Sequence, residues 1–463
     1  MGMYSKIVKY GLYPFWAFKD RSNRFRYWKE LEESQWWGDE RIKELQWQRM
    51  KNLLSHAYQN VPYYKMIFDK TGLTLTDITS FEDWKKLPFL EKDDIKNNLE
   101  MLIARNYKRE DLLKNGSGGS TGSPVMFYED RNKTDWRLAA PVRHNRWCGW
   151  DLGERQGWIW GAPRDLVEFG NIKAKLRNLV LDRVLILNAY ELKDEDMYKF
   201  AMKLKRSKPT MILAYANALY LFAKFLKDNK IEGIKPIGII STGEVLYPER
   251  RELIESVFNC KVFNRYGSRE VGLVASECSE HKGMHVNAEN VYVEFVKKDG
   301  TPALSGEMGE IVVTDLCNYA TPLIRYKIGD VGSLSDIICP CGRGLPLMEM
   351  VEGRTSDFIV TPENKFISGP GLSPLIMDLT GIKQLQFVQK EKGKVIIKII
   401  KGDAFQEEEI KRLRSRLQKY TGEIMQIIFE FVDDIPKKQS GKHQLIISDI
   451  SMKELSRTRG NER

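Results

Sequence analysis

Between residues 155 and 270 short apolar runs alternate with amphipathic ones, and this alternation limits the fold more than any other feature of the chain. Gly157–Trp160, Met211–Ala214, Ile237–Ser241 and Lys261–Arg265 read as buried strands. Ala218–Lys227 and the proline-opened run Pro248–Phe258 read as helices. Strands and helices in turn imply a mostly parallel sheet with helices packed on it, an α/β architecture. Ligands of such sheets sit beyond the carboxyl ends of the strands. At those ends the chain places short turns: Gly161-Ala162-Pro163, Tyr215-Ala216-Asn217, Thr242-Gly243-Glu244 and Tyr266-Gly267-Ser268-Arg269-Glu270. Their shared position predicts that they line one cleft.

The flanking regions read differently. Residues 27–100 are mostly helical, with Trp47, Met50, Leu53, Leu54 and Ala57 on one apolar face and Pro62 expected to end that helix. Residues 286–350 are strand-rich, including Val291–Val296 and Glu310–Thr314. Beyond Gly353-Arg354 a smaller α+β module follows, with strands at Leu385–Gln389, Val395–Ile400 and Ile427–Val432 and a charged helix at Phe405–Tyr420. A chain of 463 residues exceeds one hydrophobic core. The expected division is therefore a large domain over 1–353, helical over 1–100, and a small domain over 354–463.

The loop Ser117-Gly118-Gly119-Ser120-Thr121-Gly122-Ser123-Pro124 precedes a strand-like Val125–Tyr128. Glycines let backbone N–H groups approach a phosphate, and the hydroxyls add donors. No Gly-Lys-Ser/Thr follows at the Walker spacing, and such a string alone is more often a surface loop. Its context is more telling. The loop is followed in order by Tyr-Gly-x-x-Glu at 266–270, Tyr326-Lys327-Ile328-Gly329-Asp330, Gly353-Arg354-Thr355-Ser356-Asp357 and Ser440-Gly441-Lys442. This order resembles the adenylate-forming superfamily from about residue 115 onward. The Val-Pro-Tyr-Tyr at 61–64, the run 318–332 and Cys339-Pro340-Cys341-Gly342 narrow the likeness to the phenylacetate–coenzyme A ligases and their capsular-polysaccharide biosynthesis relatives.

The resemblance implies a large domain of parallel-rich sheets flanked by helices and a small mobile domain. It also implies an AMP-forming reaction of a carboxylic acid with ATP, followed by transfer of the acyl group to coenzyme A. The loop 117–122 would hold phosphates. Tyr266, with Gly267 and Ser268, and Gly243 with Glu244 would flank adenine. Asp330, assisted by Arg354, would bind ribose, and Glu270 would bind Mg²⁺. Asp357 would be the hinge, and Lys442 would neutralise charge as the carboxylate attacks the α-phosphate, where N–H donors and cations stabilise the transition state. Three positions depart from the pattern: Val125 replaces a frequent lysine, Arg269 a Ser or Thr, and Gln444-Leu445 a common arginine. Trp160, Gly161, Tyr215, Ala216 and Asn217 could line the acyl pocket, with flat aromatic walls that are equally at home in a core.

Cys278, His285, Cys339 and Cys341 offer three thiols and an imidazole, a suitable set for a structural Zn²⁺, with His281 as rival ligand and reduced, unligated cysteines as the alternative. Six cysteines form no disulfide framework, which predicts a reducing, cytoplasmic setting. The net charge of +10 suits an anionic ligand, and no nucleic-acid motif accompanies it. Ile7 to Phe18 is apolar and aromatic but too short to span a bilayer, and it lacks the cleavage site of a signal peptide. Flanked by Lys6, Lys19, Arg21, Arg24 and Arg26, with Tyr4, Tyr13 and Trp16, it could rest on an anionic membrane face; packing within the first domain is the alternative. The acyl acceptor could also be a carrier protein or a surface-polysaccharide precursor. A non-catalytic nucleotide-binding scaffold and a homodimer are further readings the sequence leaves open.

Overall fold

The computed structural model describes residues 2–116, 125–160, 172–189, 192, 194–297, 299–352, 358–362, 366–368, 372, 375, 379, 381–402, 404–435 and 445–450. Its centre is an eleven-stranded sheet in the order β10-β11-β12-β13-β9-β8-β7-β6-β5-β3-β4. The strands are β3 (Gln156–Trp160), β4 (Val184–Asn188), β5 (Met211–Tyr215), β6 (Gly238–Thr242), β7 (Lys261–Ser268), β8 (Gly272–Glu277), β9 (Met284–Val286), β10 (Val291–Val296), β11 (Gly309–Asp315), β12 (Tyr326–Ser335) and β13 (Leu347–Glu352). A separate hairpin pairs β1 (Leu113–Gly116) with β2 (Met126–Glu129).

Only half of the large sheet is parallel. β4, β3, β5, β6 and β7 run parallel, as the alternation of strand and helix requires. From β7 onward every pairing is antiparallel. The physical reason is connection length: β7 and β8 are joined by three residues, too few for the crossover that parallel neighbours need. Thus Tyr266-Gly267-Ser268, expected in a turn, is the end of a strand, and the turn is Arg269–Val271.

Helices Asp194–Ser207, Ala216–Asp228 and Pro248–Phe258 cover the parallel half, with Phe200, Phe222 and Phe258 in one core. Full burial of such a side chain contributes about 1.5–3 kcal/mol. Over the other half lies Asp39–Asn60, burying Ile42, Met50, Leu53, Leu54 and Ala57. Pro62 does not simply end the helical region. It opens a second helix, Pro62–Thr71, because a proline in the first turn gives up an N–H that has no intrahelical partner anyway. The chain after residue 357 builds its own four-stranded sheet, in the order Gln426–Phe431, Lys394–Lys401, Ile382–Glu391 and Ile446–Ser448. Helix Glu407–Thr421 packs on it through Leu413 and Leu417, which share a core with Phe387 and Ile397.

Candidate functional site

The parallel half sets the first wall of the site. Its registers bring Trp160, Tyr215, Thr242 and Arg265 to one edge, since Trp160 follows the Ile159–Ala214 pair, Tyr215 pairs with Thr242, and Thr242 with Arg265. There the Trp160 and Tyr215 rings stack at 4.2 Å with 23° between their planes. Gly243 follows directly. Its φ of +75° disfavours any side chain, and a Cβ would stand 2.8 Å and 2.9 Å from two atoms of the Tyr215 ring. Tyr215 also caps the helix that begins at Ala216 and includes Asn217. Glu244 is half-buried beside them.

The second wall comes from curvature. β7 and β12 are four steps apart in the sheet order, which would separate them by roughly 19 Å if the sheet were flat. Instead the Tyr266 hydroxyl donates to Asp330 Oδ2 at 2.9 Å, across 64 residues of sequence. The Tyr326 hydroxyl lies 3.5 Å from Glu270 Oε1, with Tyr326 fully buried and Glu270 6% exposed. The antiparallel half therefore curls back toward β7. Register shifts between Glu310 and Val312 and between Gly332 and Leu334 supply the bends. Four sequence-selected residues, Tyr266, Gly267, Glu270 and Asp330, thus converge on one place.

Beneath this lies support that the sequence did not advertise. Lys133 is buried, donates to Val271 O at 2.7 Å and pairs with Asp315 Oδ2 at 2.6 Å. It thereby ties down the turn that carries Glu270. Burial pushes the Asp315 carboxyl up, opposed by the Lys133 charge. Asp130 caps the helix Arg131–Trp147, accepting from Lys133 N at 2.7 Å and Tyr319 N at 3.0 Å. Asn318 donates to Tyr128 O at 2.9 Å, and Tyr128 N donates to Thr321 Oγ1 at 3.2 Å. The run after β11 therefore clamps β2. The hairpin register continues to Gly116 opposite Met126, so both stems of the segment 117–124 are fixed. Val125, where a lysine is frequent, is 1% exposed in the main core and serves packing.

Several expected residues lie outside the described ones: the loop Ser117, Gly118, Gly119, Ser120, Thr121 and Gly122, then Gly161, Arg354, Asp357 and Lys442.

A second cluster forms just past β8, on β9 and in the β12–β13 connection. Cys278 Sγ and Cys339 Sγ are 3.6 Å apart, Cys341 Sγ and His285 Nε2 are 3.3 Å apart, and the four ligand atoms all lie within 4.8 Å of one another. Four-coordinate Zn²⁺ with bonds of ~2.3 Å spaces its sulfurs by ~3.8 Å, so the donor set fits. His285 Nδ1 faces Leu345 O at 3.3 Å, which orients Nε2 toward the thiols. Burial lowers the His285 imidazole to about 4, favouring the neutral form that ligates, and pushes the Cys278 thiol up to about 12. His281 is no member of this set; its Nδ1 contacts Glu277 Oε2 at 3.0 Å. Gln35 braces the cluster, its Oε1 accepting from Trp147 Nε1 at 2.9 Å and Arg343 Nε at 3.0 Å.

Residues 359–449 match the family described as the CapK C-terminal domain. The chain is 29% identical over 416 residues to protein CapK of Staphylococcus aureus, covering 88% of this chain and 89% of that one. It is 25% identical to the phenylacetate–coenzyme A ligase of Thermus thermophilus, over 69% of this chain and 72% of the ligase. The chain is a homologue of CapK and of the phenylacetate–coenzyme A ligases. Among solved structures, a 2-hydroxyisobutyryl-CoA ligase in its postadenylation state superposes with a TM-score of 0.71 at 16% identity, over 90% of this chain and 92% of the ligase. The large sheet-rich body with a separate C-terminal domain is thus the fold of the adenylate-forming coenzyme A ligases.

For a CapK homologue the site is therefore read in two layers. Tyr266, Glu270 and Asp330 carry motif signals and are found together. Tyr326 and the Asn318–Thr321 clamp fall inside the run 318–332, but the sequence assigns them no role, and Lys133 carries no motif signal at all. Asn318 and Thr321 are further marked as polar residues beside Leu316 and Leu323.

Proposed function

We propose that this AMP-forming ligase converts a carboxylic acid and ATP into an acyl-adenylate and pyrophosphate, and then passes the acyl group to coenzyme A. The observation that carries the reading is the meeting of Tyr266, Asp330 and Glu270 where the curled sheet brings β12 back to β7. In this reading Tyr266, Gly243 and Glu244 hold the adenine, and Asp330 accepts from the ribose hydroxyls. Glu270 would hold Mg²⁺, which supplies positive charge to the polyphosphate. The loop 117–122 adds backbone and hydroxyl donors, without the lysine that Val125 replaces. The acid lies toward Trp160 and Tyr215. Lys442 neutralises the charge that gathers as the carboxylate attacks the α-phosphate. Arg354 assists Asp330 at the ribose, and Asp357 is the hinge between a domain over 1–353 and a mobile domain over 354–463, so that the lysine withdraws before a thiol enters. Cys278, His285, Cys339 and Cys341 would hold a structural Zn²⁺ with no open position.

A second reading of the last step rests on the sequence's resemblance to capsular-polysaccharide biosynthesis proteins; in it the acceptor is a carrier protein or an amino or hydroxyl group of a surface-polysaccharide precursor. Acid-dependent ATP–pyrophosphate exchange across aryl, fatty and hydroxy acids tests the activation step. Exchange with none of them would sink it. Product analysis with coenzyme A against an amino-sugar nucleotide separates the two acceptors.

A further inference from the structure

The first helical segment carries an apolar face that the fold leaves uncovered. Met3–Ile7, a π-turn over Val8–Leu12 and Tyr13–Lys19 follow one another without a break. One side turns inward, where Val8, Tyr13 and Ala17 are buried, the first two in a core with Trp28 and Leu31 of the helix Arg24–Ser34. The opposite side presents Met3, Ile7, Phe15 and Phe18 at 81%, 50%, 63% and 82% exposure. An α-helix turns about 100° per residue, so steps of four drift by about 40° and a face is lost after three of them. The wider π-turn takes up that drift, and Met3, Ile7, Gly11 and Phe15 stay in line on the exposed side. Beside this row, Ile172–Arg177 and Asn178–Asp182 expose Leu176 and Leu179 at 61% and 73%. The Tyr4 hydroxyl joins the two segments, donating to Val180 O at 2.8 Å.

Charge is concentrated in the same place. Residues 1–29 hold seven Lys or Arg and one Asp, a net +6 of the chain's +10. That Asp20 is taken by Arg24 at 2.8 Å, and Lys9 is buried and paired with Asp151 at 2.6 Å, so neither Arg24 nor Lys9 serves the surface. Lys6, Lys19, Arg21 and Lys175 are exposed on these two segments. Arg24 and Tyr13, expected from the sequence to face outward, are buried and serve packing instead. A row of apolar side chains with cations on its flanks suits a helix lying in a lipid interface. No helix among the described residues is long and apolar enough to cross a membrane.

We infer that these two segments dock the protein on an anionic bilayer surface, with Met3, Ile7, Phe15 and Phe18 at the acyl boundary and the lysines and arginines against lipid phosphates. The inference is independent of the ligase reading. Its test is sedimentation of the full chain with vesicles of phosphatidylcholine alone or of equimolar phosphatidylcholine and phosphatidylglycerol. The chain binds the anionic vesicles and leaves the neutral ones. Phe15→Ser with Phe18→Ser weakens binding by about tenfold or more. Lys19→Gln and Arg21→Gln weaken it roughly fivefold each. Because these side chains are exposed, the variants keep the parent melting temperature. Should one melt early, hydrogen exchange of the unaltered chain gives the second readout: anionic vesicles protect residues 3–18. Equal sedimentation with both vesicles, no sedimentation, or no protection overturns the inference. So does a parent dimer that Phe15→Ser with Phe18→Ser splits, which would assign the face to a second copy of this chain.

Discussion

The two halves of the central sheet solve different problems with similar means. In the parallel half, strand termini leave Trp160, Tyr215, Gly243 and Tyr266 along one edge, to which the curl of β12 brings Asp330. In the antiparallel half, next to the junction of the two, Cys278, His285, Cys339 and Cys341 close on one another within 4.8 Å, and Gln35 braces them from outside. An open site offers its groups to a substrate, whereas a closed one spends them on holding the chain together. The difference predicts that variants of the cleft change kinetics and spare melting, while variants of the cluster do the reverse.

The strongest way to break this contrast is Lys442→Ala. Removing a donor aimed at transition-state charge costs about 10²–10³ in rate. Pyrophosphate exchange is expected to fall by that much, with ATP affinity and melting temperature nearly unchanged; unaltered exchange would overturn the assignment. Asp330→Asn comes next. Loss of a charged acceptor is expected to raise KM for ATP by roughly 10–100-fold, measured in steady-state assays. Cys341→Ser is the converse case: it is expected to lower stability by at least about 1–3 kcal/mol, read by denaturant unfolding, and to reduce bound zinc measured by elemental analysis. A full complement of zinc in that variant would show that Cys341 is no ligand. Gly243→Ala should act on both readouts, because the alanine strains the positive φ by about 1–2 kcal/mol and displaces Tyr215. The smallest effect belongs to Tyr266→Phe, which removes the hydrogen bond to Asp330 and keeps the ring. A neutral hydroxyl is worth roughly fivefold in KM for ATP.

How far the sequence could be read depended on the range of the interaction. Pro248–Phe258 and Val291–Val296 agree with their elements end to end, since each is set by periodicity within a few residues. The helix before Pro62 ends at Asn60, as expected, but the same proline also starts the next helix, which a reading of it as a stop signal alone leaves out. The switch from parallel to antiparallel pairing at β8 was hidden in a three-residue turn. In the cleft, motif order alone groups Tyr266, Glu270 and Asp330, and the structure brings them together. The Lys133–Asp315 pair, 182 residues apart, left no local trace, because its partners are chosen by the curl of the sheet and not by neighbours in the chain. In the N-terminal segment the sequence showed the apolar stretch. Which residues face outward waited on the π-turn, which no simple periodicity forecasts.

The curl also governs when the cleft comes into being during synthesis. β8 to β13 are largely joined by hairpins and close contacts in sequence, whereas β3 to β7 require helical crossovers and distant partners. Pairing across long separations is the slow part of folding, and chains of this size fold in stages from the amino end. Tyr266 leaves the ribosome 64 residues ahead of Asp330 and must wait for β12 to be made and bent before the two can meet. The nascent chain therefore carries its aromatic edge, Trp160 against Tyr215, as an unfinished half of the site until β12 has come round.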